Sequence, residues 1–117
     1  PNYTVWLSGQ QGDVITGNLG ENIEGHLINY YVNLVRITDP ENVFPIMHFQ
    51  NDGFRAYNNF KYFITAEEAI FGIRAMRNNA RMVLLGISPY IIAEGNIRRT
   101  LIQNILDWLV GDLDAGN

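Results

Sequence analysis

The chain has 117 residues and a formal charge of −4 at pH 7, and it is 47% hydrophobic against 17% charged. That length suits one ordinary core, the apolar content excludes intrinsic disorder, and the acidic balance argues against a nucleic-acid or anionic-membrane surface. No transmembrane span is expected, because runs such as Met82-Val83-Leu84-Leu85 are far shorter than the roughly 20 residues a bilayer needs.

There is no cysteine, which removes disulfides, thiolate zinc sites and cysteine nucleophiles. The sequence starts at Pro1 and already reads as strand by Tyr3, which suggests a piece of something larger. Residues 3–7 are β-formers that stop at Ser8-Gly9, so a buried strand is expected. The glycines and polar residues of 9–20 read as a loop. Residues 21–31 read as helix, since Ile23, Leu27, Ile28 and Tyr31 fall on one face at helical spacing, with Glu21 and Glu24 near its start. Residues 31–37 then turn β-branched and end at Asp39-Pro40.

Residues 43–49 form another apolar stretch, closed by the turn signal Asn51-Asp52-Gly53. The aromatic segments 54–57 and 60–64 look more irregular than clean strands. Thr65-Ala66-Glu67-Glu68 matches a capping box, so a helix over 66–77 competes with a strand. Phe71, Ile73 and Ala75 alternate with Gly72, Arg74 and Met76, and Asn78-Asn79 suits a hairpin turn. We therefore expect 69–76 and 81–87 to pair. Residues 96–110 give the clearest helix, with Ile97, Leu101, Ile105, Leu106, Trp108 and Leu109 on a broad apolar face and Gly111 at its end. The expected organisation is one α/β domain over 1–111 and a polar tail over 112–117.

Motifs with chemical content are few. Leu7-Ser8-Gly9-Gln10-Gln11 resembles the signature of ABC-transporter ATPases, but the basic helix that should follow and a phosphate loop are both missing. Ser8 paired with His26 or His48 would suggest a hydrolase, yet Trp6 stands where a nucleophile elbow has its first glycine. Neither histidine has an i+3 or i+4 ligand partner, so no metal is expected. Glu67-Glu68 are adjacent and do not face each other. Asp112-x-Asp114 lacks the further oxygens of a calcium loop. Asn2-Tyr3-Thr4 is a low-specificity glycosylation sequon, and Arg98-Arg99 is too small a basic group for nucleic acid. Trp108 reads as core. Phe49, Phe54, Tyr57, Phe60 and Tyr62, set among Gly and Asn, could form an exposed interface.

The order of features, above all Arg81 to Pro89 followed by the helix ending in Asp107-Trp108-Leu109, resembles the second half of class I glutamine amidotransferase-like, flavodoxin-like domains. Non-catalytic modules of that kind occur in large secreted and surface proteins. The resemblance implies a partly parallel sheet with flanking helices, lacking one or two βα units and completed by another copy or another chain. Its cysteine nucleophile is absent, so glutaminase chemistry is excluded. The expected function is a non-catalytic accessory or interaction module of a larger secreted or surface protein, without cofactor. Two alternatives stay open. One is a ligand-binding or hydrolase site on a strand-end rim of Ser8, Gly9, Gln10 and Gln11. The other is a subunit whose sheet is completed by homodimerisation.

Overall fold

The structure is a computed structural model that describes residues 3–27, 33–51, 53–57 and 60–113, with 53–57 and 60–64 described by their backbone. Strand β1 (Tyr3–Gly9) alternates half-buried Tyr3 and Val5 with exposed Thr4 and Trp6, then buries Leu7. A loop returns the chain through left-handed Gly12, Gly20 and Asn22 into β2 (Ile23–Leu27), whose Ile23, Gly25 and Leu27 are buried between exposed Glu24 and His26. This period of two is the signature of a sheet with one wet face.

Strand β3 (Val43–Phe49) lies on the other side of β1, and β4 (Gly53–Tyr57) pairs with β5 (Phe60–Ile64) as a separate two-stranded sheet. A single 3-10 turn at Ala66–Glu68 leads into β6 (Ile70–Arg77), which turns directly into β7 (Ala80–Leu85). A second 3-10 turn, Pro89–Ile91, precedes α1 (Gly95–Leu109). The main sheet runs β2-β1-β3-β6-β7, with antiparallel pairing at every step. It curls into a half-barrel around the helix side.

Local chemistry explains the joints. Asn78 and Asn79 have φ of 50° and 68°, the pair of left-handed residues that a two-residue type I′ hairpin requires. Pro45 sits within a central strand, where its missing N–H would break a ladder. The register slips between Pro45 and Met47 and again between Met47 and His48, so the proline stands at a bulge that absorbs the loss. Helix α1 buries Leu101 and Trp108, with Ile97 and Ile105 packed against the core, and stops at Gly111, whose φ is +86°. Leu7, Ile23, Ile46, Met47, Phe49 and Phe71 meet that face from the sheet. Full burial of one such large side chain stabilises by about 1.5–3 kcal/mol.

Several expectations are corrected. The flavodoxin-like or amidotransferase-like α/β fold is overturned, because neighbouring strands of the main sheet are antiparallel and the described α-helix is α1. The resemblance falls with it, and so does the reasoning about missing βα units, since antiparallel neighbours need no crossover helix. The helix expected over 21–31 is strand β2 in its described part. The strand expected over 31–37 is absent from residues 33–37, where the backbone touches the sheet through Val35 N–H donating to Ile70 O at 2.8 Å. The capping box at Thr65 starts one 3-10 turn only. Segments 54–57 and 60–64 are paired strands. Leu106 and Leu109, assigned above to the packed face of α1, are exposed. The 69–76 and 81–87 pairing is observed as β6 with β7.

Candidate functional site

The polar residues after β1 form a buried knot. Asp13 accepts backbone N–H bonds from Ile15 (2.9 Å) and Thr16 (3.2 Å) through Oδ2, and Arg74 Nε donates to its Oδ1 at 2.8 Å. The two side chains are 2% and 8% exposed, so this is a buried ion pair. The Arg74 guanidinium also lies 4.5 Å from the Phe44 ring and 5.5 Å from Trp108, and Arg81 lies 5.0 Å from Trp108 on donating to its carbonyl oxygen at 2.7 Å. Thr16 Oγ1 donates to Ile46 O at 2.6 Å, and Asn104 Nδ2 donates to Ile15 O at 2.9 Å. The knot ties the loop to β3, β6 and α1.

The rim residues proposed from sequence are adjacent to this knot and occupied by it. Ser8 is buried, and its hydroxyl donates to Gly9 O at 2.9 Å. A Cβ on Gly9 would stand 2.4 Å from Thr16 O, so only glycine permits the loop to pack there. Gln10 N–H is shared between Ile46 O (3.0 Å) and Thr16 Oγ1 (3.1 Å), while Gln11 is exposed in the turn. His48 does stand opposite Ser8 in register, but its Nδ1 lies 2.9 Å from Phe49 O. His26 is on β2 beside Thr4, with Nε2 2.9 Å from Glu24 Oε2. Ser8 Oγ and His48 Nδ1 are thus neighbours in register that each bond a backbone carbonyl rather than one another. Among the described residues no three His, Cys, Asp or Glu side chains are grouped to hold a metal.

Of the aromatic interface candidates, Phe49 is buried, its ring 5.5 Å from that of Phe71. The side chains of Phe54, Tyr57, Phe60 and Tyr62 lie outside the described residues, as do Phe63 and Asp52.

Two surface features were missed from sequence. The first is a pair of apolar rows on the sheet face turned away from α1. Val43, Ala75 and Met82 are successive cross-strand partners, and so are Pro45, Ile73 and Leu84. Phe44, Arg74 and Val83, one position along, form the row facing Trp108 and the helix side. Ile73 at the centre is buried, whereas Met82 and Leu84 on edge strand β7 are 49% and 47% exposed. The second is an open hollow of about 200 Å³ lined by Thr4, Val5, Trp6, Phe49 and Asn51. Trp6, 40% exposed, is cross-strand to Glu24. Strict alternation in 3–7 would have placed Trp6 opposite to Val5 and Leu7, on the wet face.

Comparison with known protein families, with curated proteins and with solved structures finds no match. No described helix is long and apolar enough to cross a membrane.

Proposed function

We propose that the chain is a non-catalytic interaction module of a larger secreted or surface protein. The observation that supports this reading is the doubled apolar row ending in Met82 and Leu84. Among the described residues, six apolar positions of three strands line up on the sheet face turned away from α1, buried at Ile73 and about half exposed at Met82 and Leu84 on edge strand β7. Contiguous apolar surface of this kind marks contacts with other protein surface. Ser8 Oγ and His48 Nδ1, the strongest hydrolase candidates, each bond a backbone carbonyl rather than one another, which favours the non-catalytic reading.

A photoreactive benzophenone side chain at Leu84, placed in the full-length protein, tests the reading. A discrete crosslink to a second polypeptide or to another part of the same one is expected. Absence of any crosslink overturns it. The homodimer alternative has its own support, since β7 ends the sheet and its outer edge has no strand beside it among the described residues. A crosslinked dimer of identical chains would select that version. Labelling of Ser8 by a fluorophosphonate would restore the hydrolase. The gene around this segment tests the rest: a reading frame that extends past Pro1 or Asn117 supports the larger protein, one confined to these residues removes it, and a secretion leader upstream supports the compartment.

A further inference from the structure

Strand β1 is paired unequally on its two sides. Toward β2 its ladder runs from Tyr3 opposite Leu27 to Leu7 opposite Ile23. Among the described residues, the partners toward β3 are those of Leu7, Ser8 and Gly9, and one more bond, Gln50 N–H to Trp6 O at 2.9 Å, ends the contact. Backbone groups alternate sides along an antiparallel strand. Gly9 N–H turns to the β2 side to reach Gly20 O, while Gln10 N–H and Trp6 O turn to the β3 side. Thr4 has the parity of Trp6 and Gln10. Its N–H and C=O therefore face the side on which β3 has already ended, and the hollow lined by Thr4, Val5, Trp6, Phe49 and Asn51 lies there.

We infer that this stretch of β1 receives an extended segment of a partner polypeptide, which adds a short strand beside Thr4 and seats one aromatic or large aliphatic side chain in the hollow. Strand addition supplies the main-chain bonds, and a pocket for an alternate side chain supplies the selectivity. The size fits that division. At about 200 Å³ the hollow is smaller than the roughly 300–1,000 Å³ of small-molecule pockets, so it suits a single side chain more than a whole ligand. Its lining is uncharged, with exposed Trp6, half-buried Val5 and buried Phe49 as its apolar residues. Charge narrows the partner further. Glu24, the cross-strand neighbour of Trp6, is about half exposed with one carboxylate oxygen 2.9 Å from His26 Nε2, and the chain carries −4 overall, so a lysine or arginine next to the anchoring side chain suits the acidic surface better than a carboxylate. This site is separate from the apolar rows on β7, and either can fail without the other.

The test uses the whole chain and a blocked peptide of alternating threonine and valine with one central phenylalanine and an adjacent lysine. Thr4 amide exchange is followed by NMR, and tryptophan emission reports Trp6 against buried Trp108. With the peptide at millimolar concentration, Thr4 exchange should slow by about tenfold or more and emission should shift to the blue. The same peptide N-methylated on its backbone should do neither. Trp6→Thr, which keeps a β-former at an exposed position, should lose the emission shift and weaken binding by about tenfold, with Trp108 emission showing that the fold is kept. The proposal is overturned if the peptide leaves Thr4 exchange unchanged, if the N-methylated peptide binds equally well, or if Trp6→Thr binds as tightly as the parent. A β-linked oligosaccharide that shifts Trp6 emission without protecting Thr4 would also overturn it, by reassigning the hollow to sugar stacking.

Discussion

Asp13 serves three partners with two oxygens: the Arg74 guanidinium on one side and the amides of Ile15 and Thr16 on the other. Deleting one member of a buried pair leaves the other charged and unpaired, which costs about 3–5 kcal/mol. Asp13→Ala should therefore lose about that much in urea unfolding, a large share of a typical domain's total. Replacing both partners by apolar residues, Asp13→Leu with Arg74→Met, should recover part of the loss. Recovery stays incomplete because the two amides lose their acceptor in either case. If the double variant is no better than the single, the amide caps rather than the ion pair carry the effect. None of this was legible in the sequence. Asp13 reads as a loop residue and Arg74 as the polar half of an alternation, and no local rule joins positions so far apart. Ser8 and Gly9 did stand out, though for a reason other than the one observed. They mark a tight passage between β1 and the loop rather than an exposed rim.

At the level of elements, the sequence was readable where turn chemistry and period agreed. Asn78-Asn79 between two alternating runs gave the β6–β7 hairpin, and Ile97 through Gly111 gave α1 with its end. Asn79→Gly should improve the hairpin, because the second position of a type I′ turn favours glycine. We expect a gain of about 0.5 kcal/mol, or roughly 2 °C in Tm, by calorimetry. A loss would mean that the Asn79 side chain contributes more than its backbone conformation. Strand β2 was misread for a definite reason. Ile23 and Leu27 are four apart, a spacing shared by one helical turn and two strand repeats. The residue that would separate the two is Gly25, which has no side chain to show the alternation. Structurally it is buried, and a Cβ there would stand 3.1 Å from Leu7 and 3.2 Å from Val5. Glycine at that point admits close packing against β1 and hides the period.

For the molecule as a whole, that one misreading changed the architecture. A helix after the first strand implies a crossover and a parallel neighbour, and a strand there implies a hairpin-like return. The antiparallel sheet, its curl and the open face with Met82 and Leu84 all follow from the second choice. The face itself could not be read ahead of the register. Val43, Pro45, Ala75, Ile73, Met82 and Leu84 align only once β3 is registered against β6 and β6 against β7, because a slip of one residue moves every side chain to the opposite face. Met82→Glu with Leu84→Glu should leave urea stability within about 1 kcal/mol, since both positions are half in water. The same variant should abolish any concentration-dependent sedimentation of the parent chain. A large loss of stability instead would show that these side chains belong to the core.

The position of β3 has a consequence in time. It is the middle strand of the sheet, yet both of its neighbours, β1 and β6, are far from it along the chain. The β6–β7 hairpin can close within about 1–10 μs on its own, whereas β3 must wait for two long loops to be shut, with their entropic cost incurred before any contact is made. Docking of β3 is then the event that sets the refolding rate. Ile46→Val, at a fully buried site, should slow refolding while leaving unfolding nearly unchanged in stopped-flow experiments. Faster unfolding with refolding unaltered would place β3 after the barrier. Until it docks, a newly made chain holds two hairpin edges apart and uncovered, and its exposure to misassembly lasts as long as that wait.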